Sequence, residues 1–342
     1  MKALFFHEHG GPEVIRHGDV PDPEPGPGEV LLEVKACALN HLDIWVRRGW
    51  PGLRLAMPHW GGSDVAGVIR AVGNGVEGWT AGQRVVADPG ISTAVDEHTR
   101  RGEDSVSEGY HILGEHCRGG LAQFVAVPSV NLLPMAEDLD FPEAAAPLLV
   151  TLTAWRMLIH RGRLKAGESV LIVGAGGGAN SMAIQIARLA GATVYVVASN
   201  GEKAARALEL GAHTVIDRSR TDWVRQMHKL TGGRGVDLVV DNVGAATLNS
   251  SMKVVARGGR IVIIGNTSGP QVEIDIRYIF TKQIGLIGST MGSHQDFREI
   301  TALLREKRLK PVIDRTMPLS EGLEAFSMME RGDQFGKIVL IP

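Results

Sequence analysis

The sequence has only two cysteines in 342 residues, Cys37 and Cys117, and neither belongs to a Cys-x-x-Cys pair. That excludes a disulfide scaffold and a four-cysteine zinc centre. It points to buried or incidental thiols in a reducing cytoplasm. An excess of either charge is missing too. There are 36 Lys and Arg against 38 Asp and Glu, with no long run of one sign. Neither a nucleic-acid partner nor a membrane surface is therefore expected. Long uninterrupted apolar spans are absent. The start, Met1-Lys-Ala-Leu-Phe-Phe-His, is too short an apolar run for a secretory leader. The least charged stretch, Ser169 to Ala187, contains a glycine cluster with Asn180, Ser181 and Gln185. It reads as a buried strand–loop–helix rather than a membrane span.

Glycine is what the chain has in excess, 43 residues against an average of about 7%. With 44% hydrophobic and 22% charged residues, the composition is that of a folded chain long enough for two cores. The first part, to about residue 135, reads as β-rich. Val30–Ala36, Val65–Val72, Gln83–Ala87 and Leu121–Val127 are short apolar or alternating runs bounded by Gly, Pro and Asp. Pro21 to Gly28 is a loop, and Ser92 to Gly109 is a polar surface excursion. Asp140-Phe-Pro-Glu143 is a helix start, from which a long apolar helix is predicted to run towards Ile159.

Beyond Glu168 strands and helices alternate. Strands are predicted at Val170–Val173, Thr193–Ala198, His213–Ile216, Asp237–Val240 and Arg260–Gly265, with helices such as Ser181–Ala190 and Glu202–Leu210 between them. Continuous Val, Ile and Leu runs suit strands covered on both faces, so the fold class is α/β with a doubly wound parallel sheet. Helical segments near His294–Lys307 and Ser320–Glu330 and a last strand at Lys337–Ile341 complete the pattern.

The first βα turn reads Gly174-Ala-Gly176-Gly177-Gly178-Ala-Asn180. Glycines there allow a tight turn and close approach of a pyrophosphate, and the following helix offers free N–H groups and a positive dipole end. Two registers fit: Gly174-x-Gly176-x-x-Ala179, or Ala175-x-Gly177-Gly178-x-Asn180, with Asn as the third residue. An NAD site usually has an acid at the tip of the second strand. This chain has Ser199-Asn200, with Lys203 and Arg206 close behind. That favours the 2′-phosphate of NADPH over NADH.

Taken together, these motifs make the chain resemble the medium-chain dehydrogenase/reductase superfamily over its whole length. The supporting strings are Val34-Lys-Ala-Cys-Ala-Leu-Asn40-x-x-Asp43, Gly62-Ser-Asp-x-Ala-Gly67, Gly82-Gln-Arg-Val85, Gly120-Leu-Ala-Gln-Phe124, Leu152-Thr-Ala-Trp155, Gly258-Gly-Arg-Ile-Val262, Gly288-Ser-Thr and Phe335-Gly-Lys-Ile-Val-Leu340. The resemblance implies a GroES-like irregular β domain (1–149 and 291–342), with a Rossmann domain (150–290) inserted. It implies hydride transfer involving a nicotinamide cofactor. It places Thr153, Asn242, Gly265, Asn266, Ser289 and Lys337 at the cofactor, beside Gly174, Gly176, Gly177, Gly178, Asn180, Ser199, Asn200 and Lys203. It also implies a homodimer or homotetramer, with Gln283–Ser289 similar to the strand that pairs across a dimer.

Zinc-dependent members of that superfamily carry metal ligands where this chain has Asn40, Ser63 and a residue near Leu149. Only Asp64 remains as a ligand type, and no zinc is expected. The structural zinc lobe matches at Thr93, Asp96, Thr99 and Ser107, so its four cysteines are gone and a mobile loop is expected. The alcohol-dehydrogenase proton relay is lost at Leu42 and Trp45. The resemblance is therefore to the zinc-free quinone oxidoreductase branch. It implies NADPH-dependent reduction of a quinone, enone or similar small molecule, with Asn40 and Ser63 as donors to the developing oxyanion and Asp43 and Asp64 fixing their geometry. Trp45, Trp50 and Trp60 are candidates for the pocket wall. Two alternatives stay open: an alcohol or aldehyde dehydrogenase rebuilt around His41 or His59, and a non-catalytic NADPH-binding protein. A third imidazole group, His111 and His116 with Cys117, is a loop cluster whose expected role is structural.

Overall fold

The chain begins with an antiparallel pair, β1 (Lys2–Phe5) and β2 (Arg16–Asp19). In β3 (Glu29–Ala38) every second residue from Val30 to Val34 is buried, the period of a strand with one covered face. Helix α1 (His41–Arg48) follows at once. Then come β4 (Asp64–Val72), β5 (Arg84–Ala87), β6 (Gly90–Ser92), the short α2 (Glu97–Arg100), β7 (Tyr110–Ile112), β8 (Phe124–Pro128) and β9 (Leu132–Pro134).

The expected long helix is two. α3 (Phe141–Ala145) starts on the Asp140–Glu143 capping box, and α4 (Leu148–Trp155) starts afresh beyond Ala146 and Pro147. Proline has no N–H for the helix ladder, which accounts for the break. α4 then widens into a π-helical turn, Arg156–Arg161.

The second half alternates as predicted: β10 (Ser169–Val173), α5 (Gly178–Leu189), β11 (Thr193–Ala198), α6 (Gly201–Glu209) and β12 (Thr214–Asp217). It continues with α7 (Trp223–Leu230), β13 (Val236–Asp241), α8 (Leu248–Val254), β14 (Val255–Ile263), α9 (Arg277–Lys282) and β15 (Gly285–Gly288). All six strands are parallel, in the order β12-β11-β10-β13-β14-β15. Residues of β10 such as Val170, Leu171 and Ile172 are fully buried, as a strand with helices on both faces requires.

The last elements are α10 (His294–Arg305), β16 (Ile313–Pro318), α11 (Gly322–Arg331) and β17 (Lys337–Ile341). β17 lies beside β3 in a sheet ordered β16-β17-β3-β4-β5-β9, with β8 also on β3. The computed structural model describes all residues from Met1 to Pro342, and they divide into two units. Met1–Leu149 and Gly292–Pro342 form one, centred on Leu32, Ile44, Val65 and Ile338. Val150–Met291 form the other, centred on Leu171, Val239 and Ile261. No helix is long and apolar enough to cross a membrane.

Candidate active site

In the first unit three neighbouring strands, β17, β3 and β4, bring distant polar residues to one end of the sheet. Ala38 pairs with both Asp64 of β4 and Val339 of β17. Two residues past Ala38, Asn40 begins α1. Asp43 reaches back to it: its Oδ2 accepts from the Asn40 N–H at 2.7 Å, and its Oδ1 accepts from the Gly62 N–H at 2.8 Å. Gly62 has φ +96°, and a Cβ there would lie 2.6 Å from the Leu121 nitrogen and 2.7 Å from Cys37 Sγ. Only glycine fits this turn. Burial pushes the Asp43 carboxyl up to about 6, against the pull of those two N–H groups.

The turn delivers Asp64 to a fully buried position. Its Oδ1 accepts from the Leu149 N–H at 2.6 Å. Its Oδ2 accepts from Asn40 Nδ2 at 2.9 Å and from Lys337 Nζ at 2.8 Å. Lys337 is 4% exposed and also donates to Asn40 Oδ1. Lys337, which the resemblance placed at the cofactor, lies inside the Asn40–Asp64 cluster. An ammonium has three N–H donors, so one remains beyond these two bonds. Both ends of the Asn40 amide are engaged, since Nδ2 also faces the Ala38 carbonyl at 3.5 Å. Ser63 Oγ, by contrast, is buried without a partner. Behind the cluster, burial holds the Cys37 thiol well above its ordinary range, and Cys117 is raised for the same reason.

In the second unit, β10 stands where the strand order reverses, with β11 on one side and β13 on the other. Ligands of doubly wound sheets bind beyond the carboxyl ends of the strands at this switch point. The glycine loop lies there. Gly174 has φ +96°, and the 12-residue α5 begins at Gly178 after Gly176 and Gly177. Asn180 Nδ2 donates to the carbonyls of Val173 at 3.0 Å and Gly174 at 2.8 Å, and its Oδ1 accepts from Asn242 Nδ2 at 2.6 Å. Asn180 therefore fixes the loop and links β10 to the end of β13. The Oδ1 of Asn242 and the Oγ of Ser289 are buried without partners.

Thr153 is buried with its Oγ1 3.8 Å from Met291 Sδ, Gly265 is half-buried and Asn266 is exposed. At the tip of β11, Ser199 is half-buried and Asn200 caps α6 by accepting from the Lys203 N–H at 2.9 Å. The reading from sequence missed Asp217 at the adjacent tip of β12, in register with Ala198. Its carboxylate accepts from the N–H and hydroxyl of Ser219, which lowers its pKa. The glycine loop, the N-terminus of α5 and the orphaned Asn242 and Ser289 atoms fit a nicotinamide dinucleotide.

Residues 26–137 match the family described as "Alcohol dehydrogenase GroES-like domain", and residues 178–306 match "Zinc-binding dehydrogenase". The rat (Rattus norvegicus) quinone oxidoreductase is 31% identical, over 100% of this chain and 98% of that protein. The crotonyl-CoA reductase of Streptomyces collinus is 32% identical over 95% of this chain and 80% of that protein. A crystal structure of an NAD-dependent alcohol dehydrogenase is 42% identical, with a TM-score of 0.96 and 100% of both chains covered. The chain belongs to the medium-chain dehydrogenase/reductase superfamily. It is a nicotinamide-dependent oxidoreductase with the GroES-like and Rossmann folds of that superfamily.

Zinc is the metal that the superfamily implies, and the residues present do not fit it. Leu149 offers only an N–H, both oxygens of Asp64 already accept from donors, and the Lys337 ammonium bonds to both Asp64 and Asn40. Zinc sites are built from thiolate, imidazole and carboxylate ligands. The structural lobe of the superfamily is also altered. Asp96 and Thr99 cap each other at 2.9 Å in both directions, Ser107 Oγ donates to Asp96 Oδ2 at 2.6 Å, and Thr93 Oγ1 donates to the Gly109 carbonyl at 3.1 Å. The loop expected to be loosely held carries its own polar knot.

The imidazoles singled out in the sequence, His41, His59, His111 and His116, make no replacement site. His41 stacks edge-on against Trp45, and His59 is 1% exposed with Nε2 3.2 Å from the Gly114 carbonyl. Burial lowers the pKa of His59 to about 4, so it is neutral at physiological pH. His111 and His116 lie 6.5 Å apart beside Cys117 and line a cavity of about 530 Å³ without converging on a common point. Trp60 is buried under Arg118, while Trp50 is exposed.

Proposed function

We propose that this superfamily member is an NADPH-dependent, zinc-independent reductase that passes hydride to a quinone, an enone or a similar activated carbonyl or alkene. One observation carries the reading: the Lys337 ammonium is buried against Asn40 and Asp64, among the positions that hold ligands in zinc-dependent relatives. It supplies a fixed positive charge from the chain itself.

NADPH, when bound, supplies the hydride. The remaining residues orient and stabilise. Gly174, Gly176, Gly177 and Gly178, with the N-terminus of α5, hold the pyrophosphate. Ser199, Asn200 and Lys203 take the 2′-phosphate. Thr153, Asn242, Gly265, Asn266 and Ser289 serve the nicotinamide end. As negative charge builds on the substrate oxygen, the third N–H of Lys337 and the Oγ of Ser63 are the donors not already committed. Asn40 and Asp64 position Lys337, and Asp43 positions Asn40. Asn40 thus changes from a direct donor to a positioning residue. Two copies pair through β15, one of the two edges of the parallel sheet, beside exposed Ile276 and Phe280. A reducing cytoplasm suits the two free cysteines.

Asp217 favours a second reading, NAD-dependent alcohol oxidation, because an ionised carboxylate near the ribose end opposes a 2′-phosphate. One assay separates the two. NADPH and NADH oxidation is followed against a panel of quinones, enones and aldehydes, and NAD(P)+ reduction against alcohols. Faster turnover of NADPH with quinones or enones supports the proposal. Alcohol oxidation with NAD+ as the dominant activity overturns it, as does tight NADPH binding with no turnover of any acceptor.

A further inference from the structure

We propose that the second unit also carries an anion site, for an oligophosphate, at the end of its sheet opposite the glycine loop. A cavity of about 710 Å³ is lined there by His228, Arg234, Lys253, Arg257, Tyr278 and Lys282, and by no carboxylate. Its place in the fold is definite. β13 and β14 begin there, at Val236 and Val255, while α7, α8 and α9 end there. The glycine loop lies at the other, carboxyl end of the strands.

Two of the cations are held by carbonyls rather than acids. Lys282 Nζ donates to the carbonyls of Met252, Lys253 and Val255 at 3.0, 2.8 and 3.0 Å. Arg257 Nη1 donates to the Thr281 carbonyl at 2.6 Å. Burial, with Arg257 beside it, pushes the Lys282 ammonium below its ordinary range. Arg234 is the exception, since it pairs with Asp237.

Basic residues in the last turn of a helix are common, and three helix ends converge on this cavity. Each helix end contributes roughly half a negative charge, and Asp237 contributes one more. Against these stand four full positive charges from Arg234, Lys253, Arg257 and Lys282. The cavity keeps an excess of more than one positive charge before His228 is counted. Lys253 and Lys282 stand in last helical turns and Arg257 caps α9 through the Thr281 carbonyl, but a carbonyl partner offsets only part of a full charge, and of the four only Arg234 has a carboxylate partner. The volume lies in the range of small-molecule sites, roughly 300–1,000 Å³. A chain of phosphates spans several cations at once, which a single ion cannot. The site is also separate from the exposed apolar residues of α9. Ile276 and Phe280 are two positions out of step with Tyr278 and Lys282, and so lie on the other side of the helix.

Isothermal titration of sodium tripolyphosphate into NADPH-saturated protein tests the site, because the glycine loop is then filled. The expected result is one tripolyphosphate per chain, weakened about tenfold or more, about 1.4 kcal/mol, in Lys253→Gln/Arg257→Gln. Both residues are exposed, and the melting temperature of the anion-free double variant checks that it folds. Lys253→Glu alone is a second variant and is expected to weaken binding as well. ATP competing where AMP does not assigns the phosphates to a nucleotide tail. Tripolyphosphate binding without ATP competition assigns a free oligophosphate. Absence of binding, binding unchanged in the double variant, or binding seen only without NADPH would overturn the proposal.

Discussion

Replacing Lys337 by methionine keeps most of the side-chain volume and removes its charge. Asp64, fully buried, then keeps the Leu149 N–H and Asn40 Nδ2 as donors but loses its cation. Leaving one partner of a buried ion pair alone costs about 3–5 kcal/mol. The destabilisation of the variant is therefore about 3–5 kcal/mol. Urea unfolding followed by tryptophan fluorescence reads this out. Four of the six tryptophans, Trp45, Trp50, Trp60 and Trp79, belong to the same unit as the pair. Asp64→Asn/Lys337→Met is expected to recover most of the loss, because no charge is then stranded. A loss under about 1 kcal/mol, the size of an exposed pair, would refute the reasoning. A double variant no more stable than Lys337→Met alone would refute it equally.

Other expectations rest on the same geometry. Asp96→Ala removes the cap of α2 and the acceptor of Ser107, at a cost of about 1 kcal/mol. Amide exchange across Thr93–Gly109 is expected to quicken in that variant and to be unaffected by chelators in the wild type. His59 has its folded pKa lowered to about 4, so as pH falls from about 6.5 the unfolded chain takes a proton that the folded chain refuses. Stability is lost through that window, and His59→Phe is expected to flatten the acid limb of a melting-temperature profile between pH 4 and 7. Asp43, raised to about 6, acts in the opposite sense, gaining stability as pH falls through that value. Asp43→Asn is therefore expected to steepen the same limb. Asn180→Ala frees the Val173 and Gly174 carbonyls and leaves Asn242 without its acceptor. NADPH affinity, by fluorescence titration, is expected to fall about tenfold, and an unchanged affinity would show that Asn180 does not hold the loop.

The second unit was the more legible in the sequence because its signals are local. Continuous apolar runs marked β10, β11 and β13, and a glycine cluster between strand and helix marked the phosphate loop. α3 was announced by its own capping box, yet nothing in the apolar run beyond it weighed against one long helix except Pro147. The residues at the superfamily's zinc-ligand positions could be compared one by one once the resemblance was recognised. The company that Asn40 and Asp64 keep could not. Lys337 stands 297 residues from Asn40 and 273 from Asp64, and a hydrogen bond across such a separation leaves no local pattern. It depends on the register that places β17 and β4 on either side of β3. The knot of Asp96, Thr99 and Ser107 escaped for a related reason: small polar residues in a loop look alike whether or not they bond to one another. Asp217 was missed because the motif directs attention to the tip of the second strand, and this acid stands at the tip of its neighbour.

The most direct test of a chain-supplied cation is turnover in the absence of metal. Zinc content is measured by elemental analysis on protein dialysed against a strong chelator, and NADPH oxidation by a quinone or enone is followed on the same sample. The expected result is far less than one zinc per chain with turnover unchanged by the chelator and by added zinc. Activity that vanishes on chelation and returns with one equivalent of zinc would contradict the role given to Lys337.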